Sequence, residues 1–234
     1  QPQIWLASTT TGMPRELTRL RGLTELPAWS PDGRQIAFLG HCGEQRRAGL
    51  CLVQSDSGAV QPLAADGHDY GPPAWAADGR QIWVSSNRDG AWRLWRFASD
   101  GSAATPVAAA PAPAAYSPVG IGPTPGLLFY AEPGSRALLS WDLEQQRALR
   151  WPLEQPRVQL VHWQMHPQGI LALTRGDKER FELLRAPGGP RETLSEHGLG
   201  SFLEMARFSL DAQARGVYVE LADTAYADLM LASP

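Results

Sequence analysis

The sequence predicts an all-β fold, a β-propeller built from four-stranded antiparallel blades. Three observations carry that prediction. A motif recurs, since residues 27–39 read PAWSPDGRQIAFL and residues 73–85 read PAWAADGRQIWVS. Turn glycines follow at Gly33, Gly79, Gly126, Gly169 and Gly216, spaced by 46, 47, 43 and 47 residues. Between them lie short β-rich runs separated by turns of glycine, aspartate and asparagine. A period in the forties with about four strands per unit is the signature of a propeller, one blade per repeat. Each blade buries its faces only against its neighbours, so repeats of this kind stack radially around a channel.

The clearest unit is 72–97, PPAWAADGRQIWVSSNRDGAWRLWRF. Asp78-Gly79 and Asp89-Gly90 separate three β-rich runs, and Asp-Gly is a strong hairpin signal because glycine supplies positive φ. The stretch therefore reads as a three-stranded meander. Taken in order, residues 1–22 supply two strands, IWLAST and PRELTRL, which match the outer half of a blade. Residues 23–64 form a full repeat, with strands near 26–30, 35–40, 49–55 and 59–64, and residues 68–109 form the next. The Ala/Pro-rich run 103–115 reads as an outer strand and a connector between blades. Residues 116–153 form a degenerate repeat and 157–195 another; the last begins near Leu199 and lacks a fourth strand. The whole of 1–234 thus reads as one propeller domain with partial repeats at both ends. A propeller commonly hides its edges by pairing strands from both termini in one blade, which would give five blades with a surplus strand, whereas further strands supplied upstream would give six; six repeats are visible, so six blades are favoured over five.

Composition narrows the partners. Hydrophobic residues make up 43% of the 234, which places the chain among globular rather than disordered sequences. The net charge is −3 with both signs interspersed, so no nucleic-acid-binding face is expected. No apolar run approaches the length of a transmembrane helix, so this chain is expected to make no membrane contact of its own. Gln1-Pro2-Gln3 enters directly on a strand-like pattern without a signal peptide, as if cut from a longer precursor. Cys42 and Cys51 flank a polar turn, and facing strand positions bring Cβ atoms within disulfide reach. An even count at hairpin spacing points to a disulfide and an extracytoplasmic setting.

The segments AWSPDGRQIAFLG and SSNRDGAWRLWRF resemble the TolB-like propeller repeat. Trp29-Ser30-Pro31-Asp32-Gly33 matches its turn in full, Ser86-Asn87-Arg88-Asp89-Gly90 matches closely, and Trp75-Ala76-Ala77-Asp78-Gly79 departs at two positions. The resemblance implies a six-bladed propeller. It is found in periplasmic scaffold proteins, in the propellers of prolyl-oligopeptidase-like enzymes, and in the extracytoplasmic part of membrane-bound winged-helix regulators.

Asp32 and Asp78 read as turn-stabilising carboxylates, and most of the nine tryptophans, Trp29, Trp75, Trp83 and Trp95 among them, read as packing between blades. His162 and His166 share a strand face but lie about 13 Å apart, too far to bind one metal, so no metal site is expected. No G-x-S-x-G elbow occurs, so no enzymatic activity, catalytic residue or cofactor is expected of this chain. Recognition remains. Aligning the repeats on the turn glycine places Glu25, His68, Asp69, Tyr70, Gln159, His162 and Glu204 near the entries of the innermost strands, at the channel mouth. A polar funnel there would bind a protein segment or a small ligand. The leading expectation is a non-catalytic extracytoplasmic binding propeller, by resemblance the sensor module of a larger, membrane-anchored bacterial transcriptional regulator. The alternatives are a periplasmic TolB-like scaffold that docks a lipoprotein and the propeller of a prolyl-oligopeptidase-like peptidase.

Overall fold

The computed structural model describes residues 3–7, 14–22, 24–44, 47–122, 126–132, 137–152, 158–187 and 189–198, together with the backbone of 208–210, 217–222 and 227–232. The chain divides into two compact units, 1–121 with 143–146 and 122–142 with 147–234. Every strand lies in an antiparallel sheet.

β1 (Trp5–Ala7) and β2 (Pro14–Glu16) form a two-stranded sheet. Four-stranded sheets follow in sequence order. The first comprises β3 (Thr24–Trp29), β4 (Gln35–Gly40), β5 (Gly49–Gln54) and β6 (Val60–Ala64). The second comprises β7 (Ala74–Trp75), β8 (Gln81–Ser86), β9 (Arg93–Ala98) and β10 (Ala104–Pro106). The third runs β11 (Val119–Ile121), β12 (Leu127–Ala131), β13 (Ala137–Asp142) and β14 (Arg147–Pro152). The fourth runs β15 (Gln159–His166), β16 (Gly169–Arg175), β17 (Glu179–Leu184) and β18 (Arg191–His197). β19 (Phe208–Leu210), β20 (Val217–Ala222) and β21 (Ala227–Ala232) close the series as a three-stranded sheet. The all-β propeller of four-stranded antiparallel blades is therefore present. The favoured count of six needs correction: among the described residues four blades are complete, and the other two repeats form sheets of two and three strands. The sequence count included repeats that hold only part of a blade.

The strands are built by burial on both faces. In β4 the run IAFL is buried throughout, because alternate residues serve different neighbours. Ile36 and Phe38, with Cys51 and Val53 of β5, pack against Ile4 and Leu17 of the first sheet's segment. Ala37, Leu39, Leu50 and Leu52 point the other way, onto Ile82, Val84, Trp95 and Phe97 of the second blade. A strand covered on both sides reads as a continuous apolar run rather than as an alternation, which is why β4, β8 and β12 stand out in the sequence.

Local polar bonds shape the recurring turn. Ser30 Oγ donates to Asp32 Oδ1 at 2.7 Å, the Arg34 N–H donates to the same oxygen at 3.1 Å, and the Gln35 N–H donates to Ser30 Oγ at 2.9 Å. The Ser30 hydroxyl, and after it the Arg34 N–H, hold the Asp32 carboxyl below the ordinary carboxylate range. In the second blade the Arg80 N–H donates to Asp78 Oδ1 at 2.9 Å. Gly33 and Gly79 take φ of 71° and 68°, the left-handed backbone that closes this turn.

The tryptophans divide. Trp75, Trp83, Trp95, Trp141, Trp151 and Trp163 are buried as packing residues, whereas Trp29 is 52% exposed. The reason is visible in the repeat. Trp75 ends the innermost strand β7, and its indole N–H donates to the Ala28 carbonyl of β3 at 2.9 Å. Trp29 ends the equivalent strand β3, but the sheet before it, β1–β2, has no innermost strand among the described residues to cover it.

The second unit shows the same both-face burial at Leu128, Tyr130, Leu138, Ile170 and Leu173. It also buries charge. Glu179, with no exposed surface, accepts from Arg175 Nε at 2.7 Å, and Glu182 accepts from Thr174 Oγ1 at 2.7 Å. Among the described residues, no helix is long and apolar enough to cross a membrane.

Candidate functional site

In an antiparallel meander, alternate connections emerge at the same end. The loops 41–48, 65–73, 87–92 and 107–118 of the first unit leave the ends of β4, β6, β8 and β10, and all four open at one end of their blades. Their side chains meet around two carboxylates.

Asp69 is the first. Arg47 Nη1, from the β4–β5 loop, donates to Asp69 Oδ1 at 3.1 Å. Asn87 of the β8–β9 loop holds Asp69 twice: its Nδ2 donates to Oδ2 at 3.1 Å, and its Oδ1 accepts from the Asp69 N–H at 2.9 Å. Ser86 Oγ donates to the Asp69 carbonyl at 2.8 Å. Tyr116, from the loop before β11, lies close enough to the same carboxylate to feel its charge. Partial burial, followed by the charge of Asp69, raises the Tyr116 phenol above its ordinary pKa. The Tyr116 ring meets Trp92 edge to face, with centroids 4.8 Å apart.

Asp66 is the second. Both of its oxygens lie 2.8 Å from the Tyr70 hydroxyl, and Arg88 Nη2 pairs with Oδ2 at 3.2 Å. The Arg88 guanidinium lies over Trp95 and Phe97, 4.9 and 5.3 Å from their centroids. Tyr70 is buried, and burial first, then Asp66, drives its phenol pKa far up. The His68 N–H donates to Asp66 Oδ1 at 3.3 Å.

Two features distinguish the outer part of this cluster. Arg47 and Tyr116 are well exposed, with 64% of the Arg47 side chain in solvent although Asp69 holds its guanidinium. Tyr116 also takes φ of 56°, a left-handed backbone that costs a non-glycine residue roughly 1–2 kcal/mol. Such strain persists where the surroundings over-determine it, as binding loops do. Among the described residues, no group of three or more His, Cys, Asp or Glu is arranged to hold a metal ion.

Of the residues expected at the channel mouth, His68, Asp69 and Tyr70 fall together in this cluster. Glu25 lies half-buried on β3 opposite Leu39, beside a register shift that puts Leu26 at φ of 58°. Gln159 and His162 belong to the second unit, on β15 opposite Arg175 and Leu173. Glu204 lies outside the described residues. Sequence reasoning missed Arg47, Asp66, Trp92 and Tyr116, and took Asn87 and Arg88 only as turn residues. Their loops alternate with the turn-glycine loops, so a second alignment centred on 87–92 would have pointed to the same end of the blades.

Cys42 and Cys51 are joined in a disulfide. They are not ladder partners, as the hairpin spacing suggested: Cys51 stands opposite Phe38, and Cys42 folds back from beyond the end of β4.

Comparison with known proteins agrees with this architecture. Residues 8–121 match the family model for the lipoprotein LpqB beta-propeller domain. The chain is 34% identical over 109 residues to the uncharacterized protein Atu1656 of Agrobacterium fabrum, covering 42% of this chain and 33% of that protein. It is 32% identical over 82 residues to the uncharacterized peptidase YuxL of Bacillus subtilis, covering 35% of this chain and 12% of YuxL. Its structure is similar to that of TolB from Acinetobacter baumannii, with a TM-score of 0.80 at 15% identity, over 99% of this chain and 57% of TolB. The matched segment thus spans a third or less of these curated relatives. Repeat motif, blade topology and structural likeness together give this chain the β-propeller fold that TolB also has.

Proposed function

We propose that this chain is the non-catalytic, extracytoplasmic binding propeller of a longer protein, a scaffold that engages a protein partner through the loop end of its first unit. One observation carries the reading: an exposed guanidinium held on Asp69 and, beside the same carboxylate, an exposed Tyr116 set edge to face against the half-buried Trp92 are brought together from four separate loops. Tryptophan, tyrosine and arginine dominate binding energy at protein interfaces, and groups already ordered lose less entropy on association. The disulfide supports an extracytoplasmic setting. The relatives lend nothing to a transcriptional-regulator parent. The likeness to YuxL favours one second reading, a propeller that accompanies a peptidase segment.

The test is site-specific photo-crosslinking. A benzophenone side chain at Tyr116, in the protein exported to the periplasm, is expected to capture a discrete partner. The yield should fall when Arg47→Gln is added. The same probe at Leu194, an exposed position on β18 of the second unit, serves as the control. Equal capture at both positions would overturn the assignment of this face. A hydrolase segment following residue 234 in the full gene product would favour the peptidase reading.

A further inference from the structure

We infer that the Cys42–Cys51 disulfide is a redox-responsive tether that sets the Arg47–Asp69 contact, so that thiol–disulfide exchange at Cys42 regulates the binding face. The inference rests on the proposed binding role of that face and adds a control to it.

Three observations converge. The bridge closes a ring from 42 to 51, and Arg47, which reaches out to Asp69 in the loop before the second blade, lies within that ring. Within it, Gly43, Glu44 and Arg47 are exposed, and burial resumes only at Gly49 and Leu50 on β5. The covalent bridge therefore ties down an arm in which, among the described residues, no apolar side chain is buried. The two sulfurs also differ. Cys51 is wholly buried among Ile4, Leu17, Ile36, Phe38 and Val53, whereas Cys42 is half-buried beyond the strand end. Attack is thus directed to Cys42.

The exchange balances as follows. A thiolate of a dithiol reductant attacks Cys42 Sγ, forming a mixed disulfide. The Cys42–Cys51 bond breaks, its electron pair leaves on Cys51 Sγ, and solvent supplies a proton. The second thiol of the reductant, deprotonated to solvent, then displaces Cys42 Sγ, which is protonated in turn. The bridge has gained two electrons and two protons, and the dithiol has become a disulfide. Arg47 is then held only by a partly exposed ion pair, a contact of small worth on its own.

The test uses the folded chain and dithiothreitol as the dithiol. Reduction is expected to speed amide exchange across 43–48 by about ten-fold or more, leaving β4, β5, β8 and β9 protected. The Asp69 carboxyl carbon resonance should move to the position it takes in the oxidised Arg47→Gln protein. The double variant Cys42→Ser, Cys51→Val, which keeps an apolar side chain at the buried position, should show both changes without dithiothreitol and respond no further to it. An unmoved Asp69 resonance on reduction overturns the inference. So does a bridge that resists dithiothreitol while the protein stays folded, and so does loss of protection throughout the blade, since the bridge would then serve the fold. None of these readouts involves a partner, so a failed crosslink leaves them unaffected.

Discussion

At the scale of single residues, the repeated motif provides internal controls. Ser30 donates to Asp32 in the first blade, and Ala76 stands at the same place in the second, where Asp78 keeps only the backbone bond. Ser30→Ala should therefore raise the Asp32 pKa towards its ordinary value, read by carboxyl NMR titration; an unchanged value would mean that the Arg34 N–H alone sets it. Trp75 and Trp29 form a second such pair. Trp75→Phe keeps the packing but leaves the Ala28 carbonyl without its indole donor, at a cost of about 1–3 kcal/mol in urea unfolding. Trp29→Phe, at an exposed site, should stay within about 0.5 kcal/mol. These pairs also explain what a linear reading can reach. Asp32 and Asp78 were legible as turn residues because their partners lie two positions away. The partners of Asp69 were not, because Arg47 is 22 positions before it and Asn87 is 18 after it. Nothing local in either loop announces the meeting. The exposure of Trp29 was hidden for a related reason: it is set by which strands a neighbouring sheet contains.

At the scale of elements, strands and turns were the most legible level, since burial on both faces writes itself as a run of apolar residues and the turn demands glycine. Blade count was less so, because a partial repeat carries the same turn signal as a complete one. Two glycines show that one residue type answers different constraints. Gly33 closes the turn after β3 at φ of 71°, with open space where a Cβ would lie. Gly33→Ala should therefore cost only the left-handed backbone, about 1–2 kcal/mol. Gly49 opens β5, and a Cβ there would lie 2.1 Å from the Ala64 carbonyl oxygen of β6. Backbone must move to admit it, and this edge of the blade is already irregular between Leu50 and Cys51. Gly49→Ala is expected to destabilise by about 1–3 kcal/mol and to raise amide exchange in β6, whereas Gly33→Ala leaves β6 protected. The same exchange pattern for both variants would show that the Ala64 contact yields more easily than its geometry indicates.

At the scale of the whole molecule, stability in a repeat protein is a sum over blades and their interfaces, and alkaline pH provides a probe in each unit. Tyr70 in the first unit and Tyr130 in the second are both buried, and burial is the first cause holding both phenols well above their ordinary pKa; hydrogen bonding to Asp66 adds to it for Tyr70. The unfolded chain releases these protons near pH 10, while the native protein keeps them. Above about pH 10 the unfolded state therefore binds fewer protons than the native state, and stability falls as pH rises. The contribution is complete below the unfolded pKa, and its loss steepens to about 1.4 kcal/mol per pH unit for each tyrosine. Urea unfolding between about pH 9 and 11 should show this slope. Tyr70→Phe and Tyr130→Phe should each remove their own share. If the units unfold separately, each substitution flattens the pH dependence of one transition and leaves the other unchanged. If they unfold together, both act on one transition and their effects add. A slope that survives in the doubly substituted protein would assign the alkaline loss to other groups and remove Tyr70 and Tyr130 as its source.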